Sequence, residues 1–226
     1  MTMKNSLIIL TLNEIEGVRA VFDKIPLAGI DELLVVDGGS TDGTIDFFKN
    51  RDIKVLIQEK KGRAEAFRIG AQAAQGENLL FFSPDGNENP GDIVKLFDLL
   101  NSSDMAIASR FLRDAHNEED GKLLPLRAWA NKAFSLMANI AWNRKVYITD
   151  TINGFRAIKK AAFEKLNIDA TGFVIEYQMS IRAMKSGLEV REIPTYEGDR
   201  IGGSSKAKSL PTGWLFLKFF MRELFI

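Results

Sequence analysis

Four consecutive apolar residues, Leu79-Leu80-Phe81-Phe82, run straight into Ser83-Pro84-Asp85-Gly86-Asn87-Glu88-Asn89-Pro90, a cluster of oxygen-bearing side chains and turn formers. An unbroken apolar run bounded by Gly76 and Pro84 predicts a strand buried on both faces, the kind found in the middle of a parallel sheet. Ligands bind at the carboxyl ends of such strands, which makes Asp85, Asn87 and Glu88 candidate site residues. Asp85 and Asn87, with Gly86 between them to bring the backbone close, suit a hard cation such as Mg2+ or Mn2+ that also grips a diphosphate. A solvated Asp/Gly/Asn/Pro turn has the same composition.

The rest of the chain repeats this pattern of apolar strand, polar loop and amphipathic helix. Ser6 to Leu12 reads as a buried strand, followed from Asn13-Glu14 by a helix carrying Val18, Val21, Phe22 and Ile25 and stopping at Pro26. Glu32 to Asp37 is a second strand; it enters Asp37-Gly38-Gly39-Ser40-Thr41-Asp42-Gly43-Thr44, where glycines allow a tight loop and Asp42 is placed to cap the next helix. Ile53 to Ile57 is a third strand, and after it Lys60-Lys61-Gly62-Arg63 opens a helix with Phe67, Ala71 and Ala74 on one face. Basic residues and a glycine at a helix start suit phosphate, although a solvated basic loop looks the same. A helix through Ile93, Leu96, Phe97 and Leu100 and a strand from Met105 to Ser109 complete a run that predicts an α/β fold with a mostly parallel central sheet flanked by helices.

Beyond Arg110 the pattern breaks. Leu112 to Leu124 is polar and acidic and reads as a mobile loop, with His116 as a surface residue. Pro125 opens a long helix with Leu126, Ala130, Ala133, Phe134, Met137 and Ala141 on one stripe and Arg127, Trp129 and Lys132 elsewhere. The helix from Phe173 to Ser186 buries Tyr177, Ile181 and Met184 and turns Glu176 another way; Val190 to Pro194 is the last strand. Tyr196 to Lys206 carries Gly198, Gly202 and Gly203 with Arg200 and Lys206, the composition of a lid over phosphates or of a plain connector. Residues 1–208 therefore read as the main domain and 209–226 as an amphipathic C-terminal helix. Its bulky apolar residues occupy more than one face, which favours an interface with a membrane or partner over packing on the domain.

Charge and composition narrow the function classes. Thirty basic residues balance thirty acidic ones, so no overall field favours nucleic acid, and the lack of cysteine excludes disulfides, thiol catalysis and zinc-thiolate sites. The first apolar run is too short for a signal peptide, and no stretch reaches the length of a membrane span. A cytoplasmic location with peripheral contact at the inner face of the membrane is the expectation.

Taken in order, Thr11-Leu12-Asn13-Glu14, Val36 to Thr44, the motif at Asp85, Ala108-Ser109-Arg110, Asn153-Gly154-Phe155-Arg156 and Arg200 to Lys206 resemble family-two glycosyltransferases of the GT-A fold, most closely the dolichyl- and polyprenyl-phosphate sugar synthases. That resemblance implies a nucleotide-diphosphate sugar donor, a lipid-phosphate acceptor, and Mg2+ or Mn2+ as cofactor. It implies a donor site made of Thr11, Asn13, Glu14, Asp37, Gly39, Gly62, Arg63, Ser83 and Lys206, with Asp37 touching base or ribose. Asp85 and Asn87 would hold the metal, and Arg110, Arg127 and Arg200 would act with Asp85 in catalysis by handling phosphates. Two departures stand out: Gly38 replaces an acidic residue in the second loop, and Ser83 replaces the first Asp of the usual Asp-x-Asp. A binding module without turnover is the alternative that Ser83 raises, and a hydroxyl acceptor would require a base such as Glu176 or Asp150. A sugar-nucleotide pyrophosphorylase would need a glycine-rich basic loop after the first strand, where Leu12-Asn13-Glu14 stands.

Overall fold

The computed structural model describes residues 3–202 and 209–226, and the predicted positions Gly203, Ser204, Ser205 and Lys206 lie outside them. In chain order the elements are β1 (Asn5–Thr11), α1 (Ile15–Val21), β2 (Glu32–Asp37), α2 (Thr44–Lys49), β3 (Lys54–Ile57), α3 (Arg63–Ala73), β4 (Asn78–Phe82), α4 (Asp92–Leu99), β5 (Met105–Ser109), α5 (Leu126–Trp142), β6 (Arg156–Lys159), α6 (Lys160–Lys165), α7 (Ile175–Lys185), β7 (Val190–Pro194) and α8 (Ser209–Leu224). The described strands form one seven-stranded sheet in the order β3-β2-β1-β4-β6-β5-β7. Every pairing is parallel except the two made by β6.

Strand periodicity splits the core into two layers. Ile8, Leu34, Val36, Phe81 and Ile107 face one side with Phe67, Tyr177, Ile181 and Phe216, while Leu7, Ile9, Val35, Leu80 and Phe82 face the other with Val18, Phe48, Leu96 and Phe97. Helices therefore cover both faces, which is why β1, β2 and β4 read as continuous apolar runs. The chain builds β1, β2 and β3 in one direction and then crosses back to place β4 on the other side of β1. This reversal makes a crevice at the carboxyl ends of β1 and β4, where a doubly wound sheet holds its ligands.

The 112–124 segment is pinned at several points, and the expectation of His116 as a surface residue is corrected. His116 bridges to Tyr196 beside β7, and its ring stacks on that of Tyr196 with centroids 4.4 Å apart, so it is half-buried rather than free on the surface. Asn117 and Glu119 are buried, and Glu119 accepts a 3.0 Å hydrogen bond from the Ala128 N–H in the first turn of α5. Polar groups that satisfy one another order this segment, leaving no apolar pattern to read.

The C-terminal helix packs on the domain by one face and leaves other apolar side chains exposed. Phe216, Phe219 and Phe220 of α8 are buried in the core, with Phe216 5.4 Å from Phe134 of α5 between ring centroids, whereas Trp214, Met221, Phe225 and Ile226 are exposed. Glu223 fixes its C-terminal turn: the carboxylate is buried and accepts bonds from Arg182 at 3.0 Å, Lys185 at 3.1 Å and Arg222 at 3.1 Å. Glu223→Ala should destabilise the protein by about 3 kcal/mol, because it strands cations arranged around a buried partner. For a chain of this size that lowers the melting midpoint by about 6 to 12 °C. An unchanged thermal denaturation curve would show that this network does not fasten α8.

Candidate functional site

At the end of β2 the Asp37 carboxylate is completely buried. One oxygen accepts the N–H groups of Gly39 at 2.8 Å and Ser40 at 2.6 Å, and the other accepts the hydroxyls of Thr11 at 2.7 Å and Ser40 at 2.7 Å. Asp37 thus ties the loop together, with Gly39, Ser40 and Thr11 all bonded to its carboxylate. Gly39 has φ of +87°, a left-handed conformation that glycine adopts freely, and a side chain there would point at Lys61. Asn13, also left-handed, accepts a 2.8 Å bond from Thr41 N–H, while its own N–H donates to Ser40 Oγ at 2.7 Å. The loops after β1 and β2 are therefore laced together. Gly38 has a packing reason: a Cβ there would press within 3.2 to 3.3 Å of Leu12 and Gln58.

The basic loop after β3 is held from below by a residue that motif reading passes over. Gln58 is buried and donates to the Gly62 carbonyl at 2.9 Å, which sets the turn that delivers Arg63. Arg63 donates to Glu176 through Nε and to Ser83 Oγ through Nη1 at 3.3 Å. Glu176 is buried and faces this arginine, which corrects the expectation that it turns away. Gly154 leaves the space that the pair requires, since a Cβ there would collide with the Arg63 guanidinium. Arg156 of the same motif is wholly buried; it donates to the carbonyls of Asn153 at 2.8 Å and Glu176 at 2.9 Å, and burial pulls its pKa down to about 10 against the pull of Glu176 and Asp150. It ties β6 to α7.

After β4, the turn at Gly86, with φ of +92°, curls the chain so that Asp85, Asn87 and Glu88 share one locality. Burial raises the Asp85 carboxyl above its usual range, opposed by the Arg200 guanidinium, whose Nη2 sits 2.6 Å from Asp85 and 3.1 Å from Glu14. Glu88 accepts the Ser83 N–H at 2.8 Å and is pushed well above the ordinary glutamate range by burial and by neighbouring Asp85. Asn87 Oδ1 is shielded from solvent and has no hydrogen-bond partner among the described residues. An acceptor oxygen in that condition carries a desolvation cost that a cation or donor would relieve. Segment 197–201 covers the turn, with Ile201 N–H donating to the Asp85 carbonyl at 2.8 Å and Gly198 N–H to that of Asn87 at 3.0 Å.

Thr11, Asn13, Glu14, Asp37, Gly39, Gly62, Arg63, Ser83, Asp85, Asn87 and Arg200 are thus assembled from the ends of β1, β2, β3 and β4 and from segment 197–201. Arg110 is occupied differently: it grips Asp150 at 2.7 and 3.0 Å and reaches Glu197 at 3.4 Å, with only 9% of its side chain exposed. Burial alone would raise Asp150, but Arg110 overrides it and holds the carboxyl below its usual range. This arginine positions β5 against segments 150–153 and 197. Arg127, in the first turn of α5, is 44% exposed and pairs with Glu118.

The model of glycosyl transferase family 2 matches residues 6–166, which contain all these loops except 176 and 197–201. This chain belongs to glycosyl transferase family 2. Among curated relatives, it is 32% identical over 216 residues to a dolichol-phosphate mannosyltransferase of Pyrococcus furiosus, covering 91% of this chain and 60% of that protein. It is 28% identical over 196 residues to glycosyltransferase AglJ of Haloferax volcanii (86% and 63%), and 28% identical over 223 residues to a polyprenol monophosphomannose synthase of Mycolicibacterium smegmatis (91% and 81%). The chain spans about three fifths of the length of the first two relatives. The Mycobacterium tuberculosis glucosyl-3-phosphoglycerate synthase, in a complex with Mn2+, UDP-glucose and phosphoglyceric acid, superposes with a TM-score of 0.72 at 17% identity, over 99% of this chain and 80% of that one. The GT-A fold follows from that likeness.

Among the described residues no three His, Cys, Asp or Glu side chains form a metal cage. The donor set at 85–88 still fits a divalent cation that draws its other ligands from a diphosphate: Asp85 and Asn87 supply hard oxygens, and Asn87 Oδ1 is bonded to nothing among the described residues.

Proposed function

We propose that this family 2 protein is an inverting transferase that moves a sugar from a nucleotide-diphosphate sugar to a polyprenyl or dolichyl phosphate at a membrane surface. One observation carries the acceptor half of this reading: Asp150 and Glu176, the carboxylates named above as bases for a hydroxyl acceptor, are both held in ion pairs with Arg110 and Arg63. A phosphate monoester needs no such base, because its second pKa near 6 leaves it mostly dianionic and nucleophilic at pH 7. The names of the mannosyltransferase and synthase relatives support the same acceptor class.

In this reading the donor lies in the crevice between the laced loops after β1 and β2 and the turn after β4. A divalent cation held by Asp85 and Asn87 would neutralise the diphosphate as it becomes the leaving group. Arg63 and Arg200, on either side of that turn, supply guanidinium forks suited to phosphate oxygens, and Arg127 stands exposed for the acceptor phosphate. A single in-line displacement inverts the anomeric carbon. Incubation with Mn2+, labelled nucleotide sugar and a polyprenyl phosphate should give labelled lipid; label confined to nucleotide and free sugar would contradict the reading.

Membrane contact is assigned to the exposed apolar side chains of α5 and α8. Among the described residues no helix is long and apolar enough to cross a bilayer, but Trp129 and Ile140 on α5 and Trp214, Phe225 and Ile226 at the chain end are all more than half exposed. Tryptophans flanked by cationic side chains suit the headgroup boundary, and Lys218 lies 5.6 Å from the Trp214 ring centroid. Because Phe216, Phe219 and Phe220 belong to the core, the test leaves them in place. Trp214→Glu combined with Phe225→Glu should abolish flotation with anionic liposomes without changing the circular dichroism spectrum, and equal flotation would remove α8 as the anchor.

A further inference from the structure

Arg63 leaves the first turn of α3 with its guanidinium 5.5 Å from the centroid of the Phe67 ring and only 25% of its side chain exposed. Its Nε–H is taken by Glu176, whose side chain is 4% exposed, and Gly154 stands behind Nη2, where any Cβ would collide. Two elements far away in sequence therefore fix the plane of the fork. Its Nη1 donates to Ser83 Oγ at 3.3 Å at the end of β4, while Nη2 is bonded to nothing among the described residues. A rigid cation is thus aimed at one hydroxyl.

That hydroxyl does what a carboxylate at position 83 could not. Glu176 already answers the single charge of Arg63, and Asp85 and Glu88 act on the same guanidinium from the turn. A further carboxylate 3.3 Å from Nη1 would close that edge in an ion pair and set a negative charge against an incoming diphosphate. Ser83 adds no charge. Its oxygen accepts from Arg63, and its own O–H, bonded to no acceptor among the described residues, can donate to a phosphate oxygen, as an ionised carboxylate cannot. The Ser83 N–H is already spent on Glu88 at 2.8 Å, so the side chain is what this residue offers a ligand.

We propose that Ser83 and Arg63 form a diphosphate clamp that works without a metal: the Ser83 O–H and the Arg63 Nη groups donate to phosphate oxygens of the nucleotide, with the arginine held in place by Glu176. The serine is then the partner that Arg63 requires, and its presence where the family usually has the first Asp of Asp-x-Asp is an adaptation of the donor site. The inference rests on the reading of the crevice as a nucleotide-diphosphate site.

Calorimetric titration of inorganic pyrophosphate, GDP and UDP into the full chain in EDTA reads the clamp alone, and the same titrations with Mn2+ read the cation's share. Ser83→Asp and Arg63→Ala should each weaken metal-free binding by about tenfold or more, the worth of a charge-assisted hydrogen bond. Ser83→Thr, which keeps the hydroxyl, should bind like the wild type, and Ser83→Asn, which has the size of aspartate without its charge, should bind clearly better than Ser83→Asp. Metal-free binding by Ser83→Asp that equals or exceeds that of the wild type overturns the inference. A wild type that binds only with Mn2+ also overturns it and leaves the donor reading standing, whereas no binding in either titration removes both. Should Ser83→Asp fail to fold, Ser83→Ala takes its place: a several-fold loss of metal-free affinity supports the clamp, and unchanged affinity overturns it.

Discussion

Asp85→Ala should reduce Mn2+-dependent binding of GDP or UDP by about 100-fold or more while leaving a folded protein. Loss of a supporting partner around a metal ligand costs about 10- to 100-fold, and loss of the ligand itself should cost at least the upper end. The fold should tolerate the change because the carboxylate is shielded and raised by its own burial, so its removal relieves a desolvation cost as well as breaking the contact to Arg200. Arg200 keeps Glu14 as partner in the variant. Calorimetric titration with and without Mn2+ separates the two contributions: metal-independent affinity should change little, and the Mn2+-dependent increment should vanish. An intact increment would mean that Asp85 does not hold the cation.

The parts of the fold that were legible in the sequence are those where burial is apolar. β1, β2, β4 and β5 are flanked by helices on both faces, so each shows as an unbroken run, and the polar residues after them mark the crevice. β6 escaped because it has four residues, opens with Arg156, and runs antiparallel between β4 and β5 after a turn-rich segment. Nothing in its composition distinguishes a buried guanidinium satisfied by carbonyls from an exposed one. Glu176 was misread for a related reason: nearly every residue of α7 is buried, so periodicity carries no information about which face meets solvent.

Arg110 shows the limit of motif chemistry. A guanidinium suits a phosphate and a carboxylate equally, and its pairing with Asp150, 40 residues along the chain, comes about only through the packing of segment 150–153 against β5. Asp37 is similar, because the residue at the strand end was legible but its burial beneath Gly39 and Ser40 was not. Glu88 and Gln58 lie within or beside the motifs, and each is defined by the backbone group it reaches once the turns close, the Ser83 N–H and the Gly62 carbonyl.

The acceptor is the part of the account on which mechanism turns, and it is open to direct measurement. A chain whose candidate bases are held by arginines should glycosylate a dianionic phosphate and leave a neutral alcohol untouched. Arg127→Ala should lower kcat/KM on the phosphate by about 10- to 100-fold, the worth of a charge-assisted hydrogen bond of about 1.5 to 3 kcal/mol. The decisive measurement presents matched polyprenyl phosphate and polyprenol to the wild-type protein, with Mn2+ and a nucleotide sugar that thermal shift has shown to bind, and reads the product and its anomeric configuration. The account predicts an inverted glycosyl phosphate from the first and no product from the second; transfer to the alcohol, or retention of configuration, would contradict it.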